Sequence, residues 1–279
     1  MSHEHGENKN YIMKINHSKH ILATWAICML ATSLFAQGSY VNANIGYGFK
    51  AGSASAYNYT SPNGSNTTEH VAFSFGKGLT MAAAFGYMFN KNVGAELGLS
   101  YLLGGKTKVI DSYSSGSDES SLSAKMLRIN PSMIISSGME SISPYAKFGL
   151  IIGKGSIKSE YTEKNNGDVY ITKVKYNGGV AFGFSSAIGL MFKLSESVAL
   201  LTEVNMINLS YAPTKGEVTE ATLNGADQLP SMTISQKKIE FVDSHVSTSN
   251  STSSVPSEQV KSKYPFGSVG INFGLRINL

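Results

Sequence analysis

The last eleven residues, VGINFGLRINL at positions 269–279, decide the fold. Every second residue in this stretch is apolar, and the residues between them are small or polar. The apolar positions are Val269, Ile271, Phe273, Leu275, Ile277 and Leu279. A period of two is typical of a β-strand whose two faces meet different surroundings. The chain is therefore expected to end on such a strand.

Seven earlier segments carry the same alternation, so the sequence predicts eight strands in all. The earlier segments are residues 41–50, 79–89, 93–101, 126–136, 145–153, 180–192 and 198–206. Short polar turns alternate with long polar loops rich in Ser, Thr, Asn and Gly. The turns are residues 90–92, 137–141 and 195–197, and the loops are residues 51–70, 104–124, 160–168 and 213–262.

The composition favours a membrane barrel. Charged residues make up 15% of the chain, glycine contributes 28 residues and the mean hydropathy is −0.07. A helical membrane protein would be far more apolar, and a soluble lipocalin-like barrel, the alternative, would carry its large apolar residues inside. The expected fold is all-β, an eight-stranded antiparallel up-and-down transmembrane barrel with long extracellular loops and short periplasmic turns. The net charge of +4 comes without a basic cluster, so no nucleic-acid partner is expected.

Two strands contain local irregularities. Pro131 lies within the fourth strand and cannot donate a backbone hydrogen bond, which predicts a β-bulge there. In the seventh strand the alternation changes phase near Leu209 and Tyr211, which predicts either a bulge or the end of the bilayer span.

The first 36 residues have the pattern of a secretory signal. Lys14 and Lys19 precede an apolar run at 21–36, and a signal peptidase would be expected to cut after Ala36. Met13 has the context of the natural start, which makes residues 1–12 an upstream extension. Cys28, the single cysteine, lies within the signal, so the mature domain at 37–279 is expected to contain no disulfide.

Five charged residues fall on the small, polar face of the strands and are expected to point into the lumen. They are Glu96, Arg128, Lys147, Glu203 and Arg276. Buried charges must pair, so we expect Lys147 and Arg128 to share the carboxylates of Glu203 and Glu96, with Arg276 near the periplasmic mouth. Since an eight-stranded barrel is filled by its own side chains, this network is interpreted as structural and no open pore is expected.

By its signal, strand count, loop asymmetry and terminal strand, the chain from Gln37 to Leu279 resembles the small outer-membrane barrels, such as the membrane domain of OmpA and the OmpX and OmpW groups. The Asn/Lys-rich turns resemble those of Bacteroidetes proteins. The resemblance implies a monomer in the outer membrane, in contact with membrane lipids and lipopolysaccharide. It also implies that the closing strand at 269–279 is the signal read by the barrel-assembly machinery.

Some barrels of this kind act on lipid A, and two sets of residues resemble their sites. His245 and Ser247 have the spacing of a deacylase His-x-Ser element, with Asp243 or Glu240 as the orienting acid. His70 with Asp111 and Ser112 resembles the palmitoyltransferase grouping. Both sets lie in Ser-rich loops, where such spacings arise by chance. The mature chain has only His70 and His245, so no metal site is expected, and no cofactor motif is present.

The expected function is therefore a structural or surface-interaction role through the long loops, without catalysis and with an unknown extracellular ligand. Two alternatives stay open. The first is a narrow carrier for small hydrophobic molecules, which needs a lateral opening, for which Pro131 on the outer face is the only sign. The second is a lipid A-modifying enzyme.

Overall fold

The computed structural model describes residues 38–52, 54–61, 66–245 and 253–279, and the signal-like segment at 1–36 lies outside them. Its strands are numbered β1 to β17 in chain order. Eight of them form a barrel: β1 (Ser39–Lys50), β4 (Gly78–Met88), β5 (Val93–Gly104), β7 (Gly116–Ser136), β8 (Ile142–Asn165), β10 (Ala181–Lys193), β11 (Val198–Tyr211) and β17 (Ser268–Asn278).

The remaining strands lie between the barrel strands. They are β2 (Ala54–Thr60), β3 (Thr67–Phe73), β6 (Thr107–Tyr113), β9 (Asp168–Asn177), β12 (Lys215–Leu223), β13 (Ala226–Asp227), β14 (Lys238–Val242), β15 (Ser257–Val260) and β16 (Tyr264–Pro265). A 3₁₀ turn at Leu229–Ser231 and a single helical turn at Ile234–Lys237 precede β14. No helix in the described ranges is long and apolar enough to cross a membrane.

The ring of eight strands is closed. Each barrel strand pairs antiparallel with the next, and β17 completes the ring by pairing with β11 on one side and β1 on the other. The last pairing runs without a break from Tyr40↔Asn278 to Lys50↔Ser268. The predicted eight-stranded antiparallel barrel and its closing strand are therefore confirmed.

The three short connections lie at one end of the barrel, here called the turn end, and the long ones at the other, the loop end. In the turn between β4 and β5, the side chain of Asn90 accepts hydrogen bonds from the backbone N–H groups of Asn92 and Val93, each at 2.9 Å. This is the usual way in which Asn fixes a tight turn.

Side chains alternate between the two faces of the wall. On β1, for example, Ile45 is 52% exposed and Phe49 55% exposed on the outer surface, whereas Asn42 on the inner face is buried. The same alternation on the other barrel strands gives the outside a continuous apolar band. Such a band is stable only where lipid covers it.

The fourth long loop is the one in which the sequence predicts extra strands that extend the barrel, and β12 to β15 lie in it. The strands of the other long loops were not predicted. Together with β7 and β8, segments expected to be loops continue the wall beyond the barrel, in the order β3-β2-β6-β7-β8-β9-β12-β14-β15. We call this the loop-end sheet. The third loop is reduced to the turn at Asn166 and Gly167, both with positive φ. The extra strands expected in the fourth loop are therefore confirmed, and the first two loops also contain strands, because their polar composition did not prevent these residues from pairing.

The predicted bulge at Pro131 is also absent. On either side of it the register of β7 with β8 is the same, Ile129↔Ile152 and Ser132↔Gly149, so no residue is inserted. The side chain of Asn130 instead donates to the carbonyl of Leu150, which lies opposite Pro131. A side-chain amide thus makes the hydrogen bond for which proline has no N–H.

The change of phase in the seventh strand has a different cause from a bulge. The register of β11 with β10 runs unbroken from Lys193↔Ala199 to Phe182↔Ser210. Leu209 and Tyr211 continue the inward-facing series and are buried, while Ser210 faces outward. The polarity of the two faces reverses here because the strand leaves the apolar band, which confirms the second of the two expectations.

The barrel interior contains two apolar clusters. The loop-end cluster consists of Phe75, Leu102, Ala124, Met126, Ile151, Ile157, Ala181, Leu209, Tyr211 and Phe266. The turn-end cluster consists of Ile134, Tyr145 and Leu201, with Met88 and Met191 packed against them. Polar and charged side chains lie between the two clusters.

Candidate functional site

The central feature of the lumen is an ion pair network around Lys147. Its Nζ lies 3.0 Å from Oε1 of Glu96 and 2.8 Å from Oε1 of Glu203. The three side chains come from β8, β5 and β11 and are 10%, 7% and 5% exposed, respectively. One ammonium therefore serves two carboxylates, which meets the requirement that a buried charge be paired.

Neutral donors satisfy the second oxygen of each carboxylate. The hydroxyl of Tyr40 donates to Glu96 Oε2 at 3.2 Å, and the side-chain amide of Asn42 donates to the same atom at 2.7 Å. Asn272 donates to Glu203 Oε2 at 3.2 Å. Hydrogen bonds to a carboxylate stabilise its charged form. The two glutamates thus have polar partners on three strands, β1, β8 and β17.

Arg276 lies on the turn-end side of this network. Its Nε donates to Oδ1 of Asn42 at 3.2 Å, and its guanidinium lies 3.6 Å from the centre of the Tyr40 ring. A cation over an aromatic face is favourable, more so when water is excluded. Since Asn42 and Tyr40 both donate to Glu96, the charge of Arg276 is coupled to that carboxylate through them.

Arg128 does not share the carboxylates, and that expectation was wrong. It is 2% exposed, and its one side-chain hydrogen bond among the described residues is from a terminal nitrogen to Oγ1 of Thr80 at 3.1 Å. No carboxylate oxygen in the described part of the chain lies within 4.0 Å of it. Arg128 lies about nine residues above the turn end and Glu96 about four, which at about 3.3 Å per residue exceeds the reach of the two side chains.

A cavity of about 100 Å³ lies between Arg128 and the Lys147 network. Its lining combines hydroxyl, amide and charged side chains with apolar ones, among them Leu99, Ile151 and Ile207. The polar lining residues include Asn44, Thr80, Glu96, Ser100, Arg128, Asn130, Lys147, Ser185, Ser186, Glu203, Asn205 and Asn272. We call this cavity inside the barrel the polar chamber.

The loop-end cluster closes this chamber from one side. Two chain segments fold inward over the lumen: Phe75 N–H donates to the carbonyl of Pro265 at 2.9 Å, and Phe266 N–H donates to that of Leu209 at 2.8 Å. The rings of Phe75 and Phe266 lie 5.4 Å apart. The turn-end cluster closes the other side with Ile134 and Leu201, each 1% exposed.

The residues expected to resemble an acyltransferase site are not assembled. Nε2 of His70 lies 2.9 Å from Oγ of Ser55, and its ring packs on Tyr57. Asp111 accepts instead from the backbone N–H of Tyr59 at 3.0 Å, and Ser112 pairs with Thr60 in the parallel ladder between β2 and β6.

The deacylase-like set is only partly described, because Ser247 lies outside the described residues. Nδ1 of His245 lies 3.2 Å from Oε2 of Glu258, so its acidic partner is not Asp243 or Glu240. Asp243 pairs with Lys261 at 3.0 Å. His245 follows β14 in the loop-end sheet. No group of three metal-ligating side chains occurs in the described ranges.

Charges in the loop-end sheet are paired across strands. Nζ of Lys173 on β9 lies 2.8 Å from Glu220 on β12 and 4.0 Å from Glu160 on β8. Its hydrogen bond to Glu220 raises the pKa of Lys173. On the neighbouring strands, burial and then a hydrogen bond to Asp118 raise the pKa of Tyr161 to about 12. These contacts link neighbouring strands of the loop-end sheet, which contain many polar and charged residues.

Residues 23–227 match the family model described as outer membrane protein beta-barrel domain. The chain belongs to this family. It is an integral outer-membrane β-barrel of a Gram-negative bacterium, and the apolar band of the barrel faces lipid. The turn end is therefore periplasmic and the loop end extracellular.

Solved outer-membrane proteins resemble this family member in structure. Neisserial surface protein A (NspA) is 11% identical with a TM-score of 0.38, covering 87% of this chain and 98% of its own. Ail, the attachment invasion locus protein of Yersinia pestis, is 10% identical with a TM-score of 0.32, covering 86% and 100%. CarO2 of Acinetobacter baumannii is 14% identical with a TM-score of 0.33, covering 87% and 100%. The comparison with curated protein sequences found no match.

Sequence reasoning missed the neutral members of the lumen network of this barrel, Tyr40, Asn42 and Asn272. A signal for them was present, because Asn42 and Asn272 occupy inward positions on β1 and β17, and Asn42 is the cross-strand partner of Arg276. Pairing the first strand with the last, once the barrel is assumed to close, would have brought them together.

Proposed function

We propose that this protein binds an extracellular partner through its loop-end sheet and has no catalytic role. The observation that supports this most directly is the sheet itself, in which strands from all four long loops are joined by backbone pairing and cross-strand ion pairs such as Lys173–Glu220. An ordered sheet presents a fixed surface, and ordering it costs no further entropy when a partner binds.

The two ends of this sheet supply places where a partner could bind. β3 and β15 each pair with a single strand among the described residues. An edge strand carries unpaired N–H and C=O groups that can accept another strand. Tyr57, 57% exposed, lies beside β3, and Val260, 54% exposed, ends β15. The apolar clusters that close the lumen make a transport role a weaker proposal.

Surface display tests the proposal. Cells of a laboratory Gram-negative strain carrying the protein would be added to immobilised mucin, collagen and fibronectin. Binding to at least one of these is expected to exceed that of vector cells several-fold. Val260→Lys, which places a charge on the edge of β15, is expected to abolish the gain, and Val255→Lys, an exposed valine of the same loop outside the strand, to leave it intact. Equal binding by wild-type and vector cells would contradict the proposal.

The proposal includes the route of export. Residues 1–36 would be the cleaved signal, and the closing strand would be read by the assembly machinery before the barrel enters the lipopolysaccharide-containing membrane as a monomer. N-terminal sequencing of the protein from outer membranes is expected to begin at Gln37. Lipid A mass spectra of expressing cells are expected to match those of vector cells, as a non-catalytic role requires.

One observation favours a second candidate, the carrier for small hydrophobic molecules. The ladder between β7 and β8 makes no regular pairing at Asn130 and Pro131, and this part of the wall separates the polar chamber from the lipid. Pro131→Val would supply the missing N–H and seal the wall. A carrier predicts that this substitution lowers the sensitivity of cells to hydrophobic toxins, whereas the surface-binding proposal predicts no change.

A further inference from the structure

Two lumen cations, Arg128 and Arg276, make no ion pair with a carboxylate in the described part of the chain. Each has a buried nitrogen without a hydrogen-bond partner, Nε in Arg128 and Nη2 in Arg276. The two differ in what they contact. Lys147 is bound by two carboxylates, and Arg276 is coupled to Glu96 through Asn42 and Tyr40. Arg128 has Thr80 alone, and its Nε has no hydrogen-bond partner although the residue is 2% exposed. A guanidinium cannot escape this situation by losing its proton.

The charges of the lumen therefore do not balance. The buried set contains three cations, Arg128, Lys147 and Arg276, and two anions, Glu96 and Glu203. One positive charge is left over, and we assign it to Arg128, because Arg276 is linked to Glu96 through Asn42 and Tyr40 whereas Arg128 is linked to no carboxylate. An uncompensated charge inside a barrel surrounded by lipid is costly, because neither water nor mobile counterions surround it.

The polar chamber beside Arg128 provides donors of the kind that hold small anions. Thr80, Ser100 and Ser185 line it, and each carries a hydroxyl that can donate. Ser100 is also the cross-strand partner of Arg128 on β5. The two carboxylates at the opposite side of the chamber are balanced by Lys147 and Arg276 together, so they do not cancel the field of Arg128.

We propose that this chamber binds one small monovalent anion of the size of chloride, with Arg128 as its counter-charge. The ion balances the charge of the lumen and accepts the free Nε–H. Since apolar clusters close both ends of the lumen, the ion is enclosed as the barrel closes. The site is independent of any partner of the loop-end sheet.

Bromide, which replaces chloride and scatters X-rays anomalously, tests this directly. Protein refolded and crystallised in sodium bromide is expected to show an anomalous peak within hydrogen-bonding distance of the Arg128 guanidinium. The proposal is overturned if the chamber shows only water and no bromide peak. This measurement uses the wild-type chain and so does not depend on any variant folding.

Urea unfolding in neutral phosphatidylcholine vesicles gives a second readout. It is measured in sodium bromide and, at equal ionic strength, in sodium gluconate, whose anion is bulky. For one site, the folding equilibrium constant rises about tenfold for each tenfold increase in bromide above its dissociation constant. Arg128→Gln is expected to abolish this dependence and Arg128→Lys to keep it. Lys125→Gln, which removes a charge from the outer face of the same strand, should also keep it. Equal bromide dependence in wild type and Arg128→Gln would refute the site.

Discussion

Tyr40 and Gly86 are cross-strand partners on β1 and β4, and the ring of Tyr40 occupies the space that a Cβ at position 86 would need. The glycine is what allows the ring to lie flat against the inner wall. From there the Tyr40 hydroxyl reaches Glu96, and the face of the ring receives Arg276. A glycine on β4 thus determines where the Tyr40 ring of β1 meets the charged side chains of β5 and β17.

Gly86→Ala is therefore expected to displace Tyr40 and to lower the free energy of unfolding by about 1–3 kcal/mol, the usual cost of overpacking. The measurement is urea unfolding in lipid vesicles. Gly98→Ala is the matched control, because a Cβ there meets its nearest neighbour, the carbonyl oxygen of Asn130, at an ordinary 3.5 Å. Equal effects at the two positions would show that the contact with Tyr40 is unimportant.

Lys147→Met is expected to lower the free energy of unfolding by about 3–5 kcal/mol, since it leaves two buried carboxylates without a cation. Adding Glu96→Gln and Glu203→Gln to the same chain should restore most of the loss, because the neutral residues need no counter-charge. The free energies of unfolding of the single and triple variants distinguish the loss of charge pairing from the loss of side-chain packing. If the triple variant is no more stable than Lys147→Met, charge pairing in this network does not contribute to the stability of the barrel.

Asn130→Ala removes the donor that satisfies the Leu150 carbonyl opposite Pro131. The expected cost is about 1 kcal/mol, the net value of one hydrogen bond. Pro131→Val in the same chain supplies a backbone N–H and is expected to recover the loss. A double variant as unstable as Asn130→Ala would mean that the amide has some other role.

The raised pKa of Tyr161 makes the loop-end sheet sensitive to alkali. Its pKa is about 12 in the folded protein against about 10 for an unfolded tyrosine, so the folded state holds the proton more tightly. This contribution to stability is complete below about pH 10 and is lost as the pH rises through about 12.

Titration of phenolate absorbance in wild type and Tyr161→Phe would give the pKa of this residue by difference. Asp118→Asn is expected to lower it, because the Asp118 carboxylate is the hydrogen-bond partner that favours the neutral phenol. Glu69→Gln on β3 removes a carboxylate elsewhere in the sheet and should have no effect. If Asp118→Asn leaves the titration unchanged, burial alone causes the shift.

The membrane-spanning part of the fold was predictable because lipid imposes a strict pattern. Val269, Ile271 and Phe273 alternate with small residues since one face meets acyl chains and the other the lumen. The loop-end strands obey no such rule. Residues 159–164 of β8 are SEYTEK, with no apolar alternation, and they form a strand because β7 and β9 pair with them on both sides. Periodicity can be recognised within a short stretch of sequence, whereas the strands that pair with that stretch cannot.

The candidate site was predictable to a similar degree. Alternation identified which charges point inward, and the narrow lumen brought Lys147, Glu96 and Glu203 together from three strands. The misplacement of Arg128 came from treating the inward charges as one group, although counting residues from the turns already separated its height from that of Glu96. The phase change at Leu209 and Tyr211 was ambiguous. Alternation shows that the two faces of a strand differ in polarity, but it does not show which face contacts water.

The order of layers inside this protein is the reverse of the order outside. Its outer wall is polar at both ends and apolar between them, to match the bilayer, whereas its interior is apolar at both ends and charged between them. The two apolar clusters have a lower dielectric constant than the charged layer between them. A voltage applied across the barrel would therefore fall mainly across the two clusters. We therefore expect a planar lipid bilayer to keep its electrical resistance when many copies of the barrel are inserted.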